Sequence, residues 1–106
     1  ITTDFLTRFL TNLAYNKAYF EHFYNSLPIA GQTGSQKDRM KNTTATGNLR
    51  VKSGTMDKVK GFAGYFSNLS DTQYSFVILV NNYTGSHGNI RDKMEALMVE
   101  FCQIAR

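Results

Sequence analysis

Six apolar residues near the start of the chain, Phe5, Leu6, Phe9, Leu10, Leu13 and Ala14, recur at helical spacing. They fall on one stripe of an α-helix, and Thr2, Thr3 and Asp4 ahead of them offer oxygens to the unpaired N–H groups of its first turn. The pattern predicts a helix over about Thr3–Tyr15. After Asn16 a second stripe, Ala18, Tyr19, Phe20, Phe23, Tyr24 and Leu27, runs to Pro28, whose ring and missing N–H end a helix. These aromatics are expected to pack, not to cage a ligand.

From Pro28 to Asn48 the chain is polar and follows neither a period of 2 nor one of 3.6, with Gly31, Gly34 and Gly47 supplying permissive backbone. Residues 28–48 are therefore expected to form a long irregular loop. A loop of that length in a compact domain tends to be functional or covered by a partner, with a solvated linker as the plain alternative. Three strand patterns follow, Leu49–Thr55, Val59–Phe66 and Tyr74–Asn82. Short turns containing Asp57, Lys58 and Lys60, then Ser67, Asn68, Ser70 and Asp71, make neighbouring strands antiparallel. In the third strand Tyr74, Phe76, Ile78 and Val80 alternate with the equally apolar Val77 and Leu79. Both of its faces want cover, as in a central strand, yet the chain offers it a partner on one side only. Ile90, Met94, Leu97, Met98, Phe101 and Ile104 then return to helical spacing behind Ser86 and Gly88, with Arg91 four residues before Glu95. The expected architecture is α+β: two N-terminal helices, a three-stranded antiparallel meander and a C-terminal helix across the sheet.

Composition narrows the class. The chain has 106 residues, enough for a single domain over 1–106, and 42% apolar against 19% charged residues argues for a folded chain. The longest apolar run, Phe76–Val80, falls far short of the roughly 18–20 residues that cross a bilayer, so no transmembrane segment is predicted. One cysteine and two histidines rule out both an internal disulfide and a tetrahedral Cys/His metal site, and no cofactor is expected. Cys102 reads as a small packed thiol. His22 and His87 have no acid or nucleophile at informative spacing and read as structural or surface groups, while Asn81 and Asn82 read as turn residues. A net charge of +4 favours anionic partners without naming one. The chain begins at Ile1 without a signal segment, which suggests processing or excision from something longer.

The stretch most suited to chemistry is Lys52-Ser53-Gly54-Thr55, at the end of the first strand pattern. In an extended chain Lys52 and Gly54 share one face, Ser53 and Thr55 the other, and Gly54 lets a ligand approach the backbone. An ammonium, hydroxyls and free N–H groups at one strand edge are what a carboxylate and a developing oxyanion both require. A solvent-facing strand ending in a turn has the same composition.

The surrounding blocks extend this motif. Ser26-Leu-Pro-Ile-Ala-Gly31, Gly34, Arg39-Met40-Lys41, Gly47-Asn-Leu-Arg-Val-Lys-Ser-Gly-Thr55, Gly64-Tyr65 and Leu79-Val-Asn-Asn-Tyr83, in that order, closely resemble the C-terminal part of the class C low-molecular-mass penicillin-binding proteins. Those are D-alanyl-D-alanine carboxypeptidases and endopeptidases of the serine acyltransferase superfamily shared with class A β-lactamases. The resemblance implies a larger sheet of five strands, two of them from an N-terminal region, and peptidoglycan stem peptides and β-lactams as ligands. It also implies a periplasmic or cell-envelope location. By the same resemblance Lys52 attracts the substrate carboxylate and assists proton transfer near the nucleophile, and Ser53 donates its hydroxyl to that carboxylate. Thr55 supplies a backbone N–H as one half of the oxyanion hole and its hydroxyl as a further contact, with Gly54 leaving room for the acyl group. The family usually has Thr at the Ser53 position, where either hydroxyl serves, and continues Thr-Leu after Gly34, where this chain has Ser35-Gln36.

The superfamily also needs a Ser-x-x-Lys nucleophile and a Ser-x-Asn pair. Every serine in the chain fails both spacings. The resemblance therefore implies one wall of an active site, inactive alone and not acylated by penicillin. Its sheet edge at Tyr74–Asn82 and its N-terminal helices are left to self-associate. A different reading is a non-catalytic binding module for an anionic polymer or protein partner. Nucleic-acid binding through Lys37, Arg39, Lys41, Arg50 and Lys52 has no motif behind it and is not expected.

Overall fold

The structure is a computed structural model that describes residues 2–56 and 59–104. Helices α1 (Thr3–Ala14) and α2 (Lys17–Ser26) precede the long loop, strands β1 (Arg50–Met56), β2 (Val59–Ser67) and β3 (Gln73–Asn81) form the meander, and α3 (His87–Phe101) closes the chain. The predicted elements are present with ends shifted by a residue or so. The expected β1–β2 turn at Asp57 and Lys58 lies outside the described residues. Lys60, expected in that turn, is instead a buried residue of β2.

Strand order is β1-β2-β3, antiparallel throughout, so β3 is an edge strand with two apolar faces. One face carries the main core. Val51, Phe62, Phe66 and Phe76 meet Met94, Met98 and Cys102 of the α3 segment, and Phe101 stacks on Phe66 at 5.5 Å. Burial pushes the Cys102 thiol up to about 11, consistent with a packed group that stays protonated near neutrality. On the opposite face Tyr65 is the anchor. Its ring meets Phe20 edge-on at 5.2 Å, and its hydroxyl donates to the Leu10 carbonyl of α1 at 2.8 Å. Burial raises this phenol to about 12.

The two N-terminal stripes are only partly used. Leu10 and Leu27 are buried, whereas Phe5 (59% exposed), Phe9 (51%), Tyr15 and Tyr19 face outward. α1 therefore carries more apolar surface than this sheet covers.

The loop is no solvated linker. Ala30, Met40 and Ala45 enter the main core, and the backbone turns with positive φ at Gly31, Met40, Asn42 and Gly47. Thr43 and Thr46 hydroxyls both donate to the Met40 carbonyl at 2.7 Å, stabilising a path that has no ladder of its own. Arg39 fastens the loop to α3, with two donors on Glu95 at 2.8 Å and one on Asp92 at 2.7 Å. Glu95 thus takes a partner far along the chain instead of Arg91. Its side chain is 10% exposed, so Arg39→Met would strand a carboxylate out of water. A loss of about 2 kcal/mol is expected in urea denaturation. A change under roughly 0.5 kcal/mol would show the pair to be screened like a surface salt bridge.

Candidate functional site

The start of β1 is covered and its end is open. Ala30 N–H donates to Leu49 O at 2.9 Å and Val51 N–H to Pro28 O at 3.0 Å, so the Pro28–Ala30 segment shields the outer edge as far as Val51. Successive N–H groups of a strand alternate between its two edges. Ser53 and Thr55 therefore direct their N–H and C=O groups the same way as Val51, away from β2, at a stretch where no described strand pairs with them.

Side chains alternate too. Val51 is in the core under α3, which places Ser53 and Thr55 on that face and Lys52 and Gly54 on the other. Lys52 is exposed, and its Nζ curls over the open edge to donate to the Ser53 carbonyl at 2.8 Å. An ammonium and two outward N–H groups thus gather along one short edge, beside the half-buried Ser53 and the exposed Thr55. Gly54 stands opposite Gly61, and a Cβ added at Gly54 would meet nothing within 4 Å. Next to it a groove of about 380 Å³ runs over the α1 side of the sheet, floored by Gly54, Gly61 and Ala63 and walled by Leu6, Val77 and Leu79. Lys52 and Ser53 do not line it.

The other nearby cations are committed. Arg39 is held by Glu95 and Asp92, and Lys41 by Asp38 at 3.0 Å. Arg50 lies over the Tyr24 ring at 4.2 Å and donates to the Tyr24 carbonyl. Among the described residues no cluster of His, Cys, Asp and Glu suits a metal ion. His22 is exposed, and His87 bonds the Tyr83 hydroxyl at the first turn of α3. Asn81 ends β3 and Asn82 turns the chain at positive φ.

One residue of this region escapes sequence reasoning. Lys60, opposite Thr55 across β1 and β2, is 8% exposed, and its Nζ donates to Thr55 Oγ1 at 2.7 Å. Burial lowers its pKa, reinforced by the charges of Arg91 and Arg39 and opposed by Glu95. The signal available in advance was strand alternation, which puts Lys60 on the same face as Phe62 and Phe66.

Comparison with known proteins identifies the family. Residues 1–101 match the D-Ala-D-Ala carboxypeptidase 3 (S13) family, and the chain belongs to it. The chain is 30% identical over 105 residues to the penicillin-sensitive carboxypeptidase A of Dictyostelium discoideum, matching 93% of this chain and 20% of that protein. Penicillin-binding protein 4 of Haemophilus influenzae, in complex with a β-lactam, has the same fold. It has a TM-score of 0.76 and 24% identity, over 90% of this chain and 24% of that one. A predatory endopeptidase of Bdellovibrio bacteriovorus in complex with its immunity protein is similar at a TM-score of 0.64 and 19% identity, over 86% of this chain and 26% of that one. The chain thus spans about a fifth to a quarter of the length of these relatives. The resemblance to the low-molecular-mass penicillin-binding proteins and the α+β fold expected from the hydrophobic pattern are both borne out.

Proposed function

We propose that this chain supplies one wall of the active site of a D-alanyl-D-alanine carboxypeptidase or endopeptidase that cleaves peptidoglycan stem peptides by serine acyl transfer. The observation that carries the reading is the open end of β1, where the Lys52 ammonium and the outward N–H groups of Ser53 and Thr55 share one edge. Lys52 draws in the substrate's terminal carboxylate and helps proton transfer at the nucleophile. Ser53 bonds that carboxylate through its hydroxyl. The Thr55 N–H stabilises the oxyanion of the tetrahedral intermediate, and Gly54 admits the acyl group. The nucleophile comes from a segment outside this sequence, because none of its serines stands three residues before a lysine.

The unpaired edge of β3 accepts a further strand of the sheet. In the isolated chain, that edge and the outward Phe5 and Phe9 provide a surface for a second copy. The place of action follows the substrate, in the periplasm or cell envelope. No helix among the described residues is long and apolar enough to cross a membrane.

A fluorescent penicillin tests the reading. The whole protein is expected to be labelled covalently and this chain alone to stay unlabelled. Labelling of the isolated chain would overturn the placement of the nucleophile, and an unlabelled whole protein would overturn the activity.

A further inference from the structure

Lys60 has no part in the roles given above, yet it is bonded to the hydroxyl of Thr55, an exposed residue of the β1 edge. An ammonium has hydrogens to give and no lone pair to receive. With Lys60 Nζ donating to Thr55 Oγ1 at 2.7 Å, the Thr55 oxygen is the acceptor of that bond, and its own O–H hydrogen is turned away from Lys60. Thr55 is exposed, on the same face of β1 as Ser53. The charged groups around Lys60 are Arg91 and Glu95 from α3 and Arg39 from the loop, and the Phe62 ring lies beside the amine at 5.7 Å. Two of these three are cations. Glu95 is already held by both donors of Arg39, which leaves Thr55 as the hydrogen-bond partner recorded for the Lys60 amine.

We propose that Lys60 is a positioning residue that orients and polarises the Thr55 hydroxyl as a donor to the substrate's terminal carboxylate, and so sets a preference for free-acid over amidated C-termini. The proposal rests on the acyl-transfer reading above. A donor whose oxygen already accepts from a cation is a stronger donor in turn, because bonds in a chain polarise one another. The same cation adds attraction for an anion held at Thr55 and none for a neutral amide.

The test compares hydrolysis of a peptide ending in D-Ala-D-Ala with that of its C-terminal amide by the whole enzyme. Lys60→Met keeps the length and apolar body of the side chain and removes a desolvated charge, so the fold is expected to survive. Its kcat/KM for the free acid should fall roughly tenfold while that for the amide stays near wild type. Thr55→Val, which keeps the backbone N–H of the oxyanion hole, should lower kcat/KM for the free acid at least as much, and the double variant should be no worse than Thr55→Val on that substrate. If Lys60→Met fails to fold, Lys60→Gln takes its place: it keeps a donor for Thr55 Oγ1 and drops the charge, and it should show a smaller loss confined to the free acid. Equal losses on both substrates, additive losses in the double variant, or an unchanged preference in a wild type that prefers the free acid would overturn the role of Lys60 alone. A wild type that turns over neither peptide would overturn the acyl-transfer reading and this proposal with it.

Discussion

Gly64→Ala is expected to dislodge β1 from β2 and to lower stability by about 3 kcal/mol or more, at or beyond the upper end of ordinary overpacking. A Cβ at this position would lie 1.9 Å from the Arg50 carbonyl oxygen and 2.9 Å from both Arg50 C and Val51 Cα. All three are backbone atoms of the paired strand, so no side-chain rotation relieves the collision. Val51, directly opposite Gly64, is fully buried and also donates its N–H to Pro28, which leaves β1 little room to slide. Three residues along the same strand Gly61 provides a control. Its added Cβ would meet Leu79 Cδ1 at 3.2 Å, the tip of a flexible and largely exposed side chain. Urea denaturation of Gly64→Ala and Gly61→Ala should therefore separate sharply. A Gly64→Ala protein within about 1 kcal/mol of wild type would mean that β1 tolerates displacement, and the edge at Lys52–Thr55 would then be a less rigid platform than described.

That edge was partly legible in advance. Alternation along residues 49–55, with a short turn after it, placed Lys52 with Gly54 and Ser53 with Thr55, as observed. Periodicity carries no information about which neighbour closes a strand edge and where it stops. The end of that cover at Val51 depends on Pro28–Ala30, within a stretch that has no period to read. The core residues Ala30, Met40 and Ala45 were hidden for the same reason, because their burial follows from αL turns and threonine-to-carbonyl bonds and not from a repeating face. Helical spacing located α1 and α3, yet it marks where apolar side chains line up and not what covers them. Phe5 and Phe9 sit on the predicted stripe and are exposed. Arg91 and Glu95 showed the spacing of a helical ion pair, but Arg39 offers two parallel donors to the same carboxylate, a stronger arrangement than one i,i+4 contact. Lys60 was misplaced because lysine next to a turn reads as solvated. Its burial rests on contacts with Thr55 and the α3 segment that only the folded chain creates.

Lys52→Ala is the change expected to act most strongly on function with least effect on the fold. The side chain is exposed and bonds only the neighbouring Ser53 carbonyl, so its removal strands no buried partner and should alter stability by no more than about 0.5 kcal/mol. Its charge is a different matter. At about 4 Å, with the effective dielectric of a protein surface, an ammonium and a carboxylate attract by roughly 4 kcal/mol before desolvation is subtracted. Arg39 and Arg50 are held elsewhere, Arg39 by Glu95 and Asp92 and Arg50 over the Tyr24 ring. Lys60 is turned to the α3 side of the sheet, on the hydroxyl of Thr55. With carboxylate binding and help to proton transfer both lost, penicillin acylation of the whole protein should slow by roughly 100-fold or more. Lys52→Arg keeps the charge but replaces a compact ammonium with a planar fork, so it should recover only part of the rate. Acylation as fast as wild type in Lys52→Ala, followed by stopped-flow or gel-based labelling, would remove Lys52 from the site. The open β1 edge would then have to work through its backbone N–H groups alone.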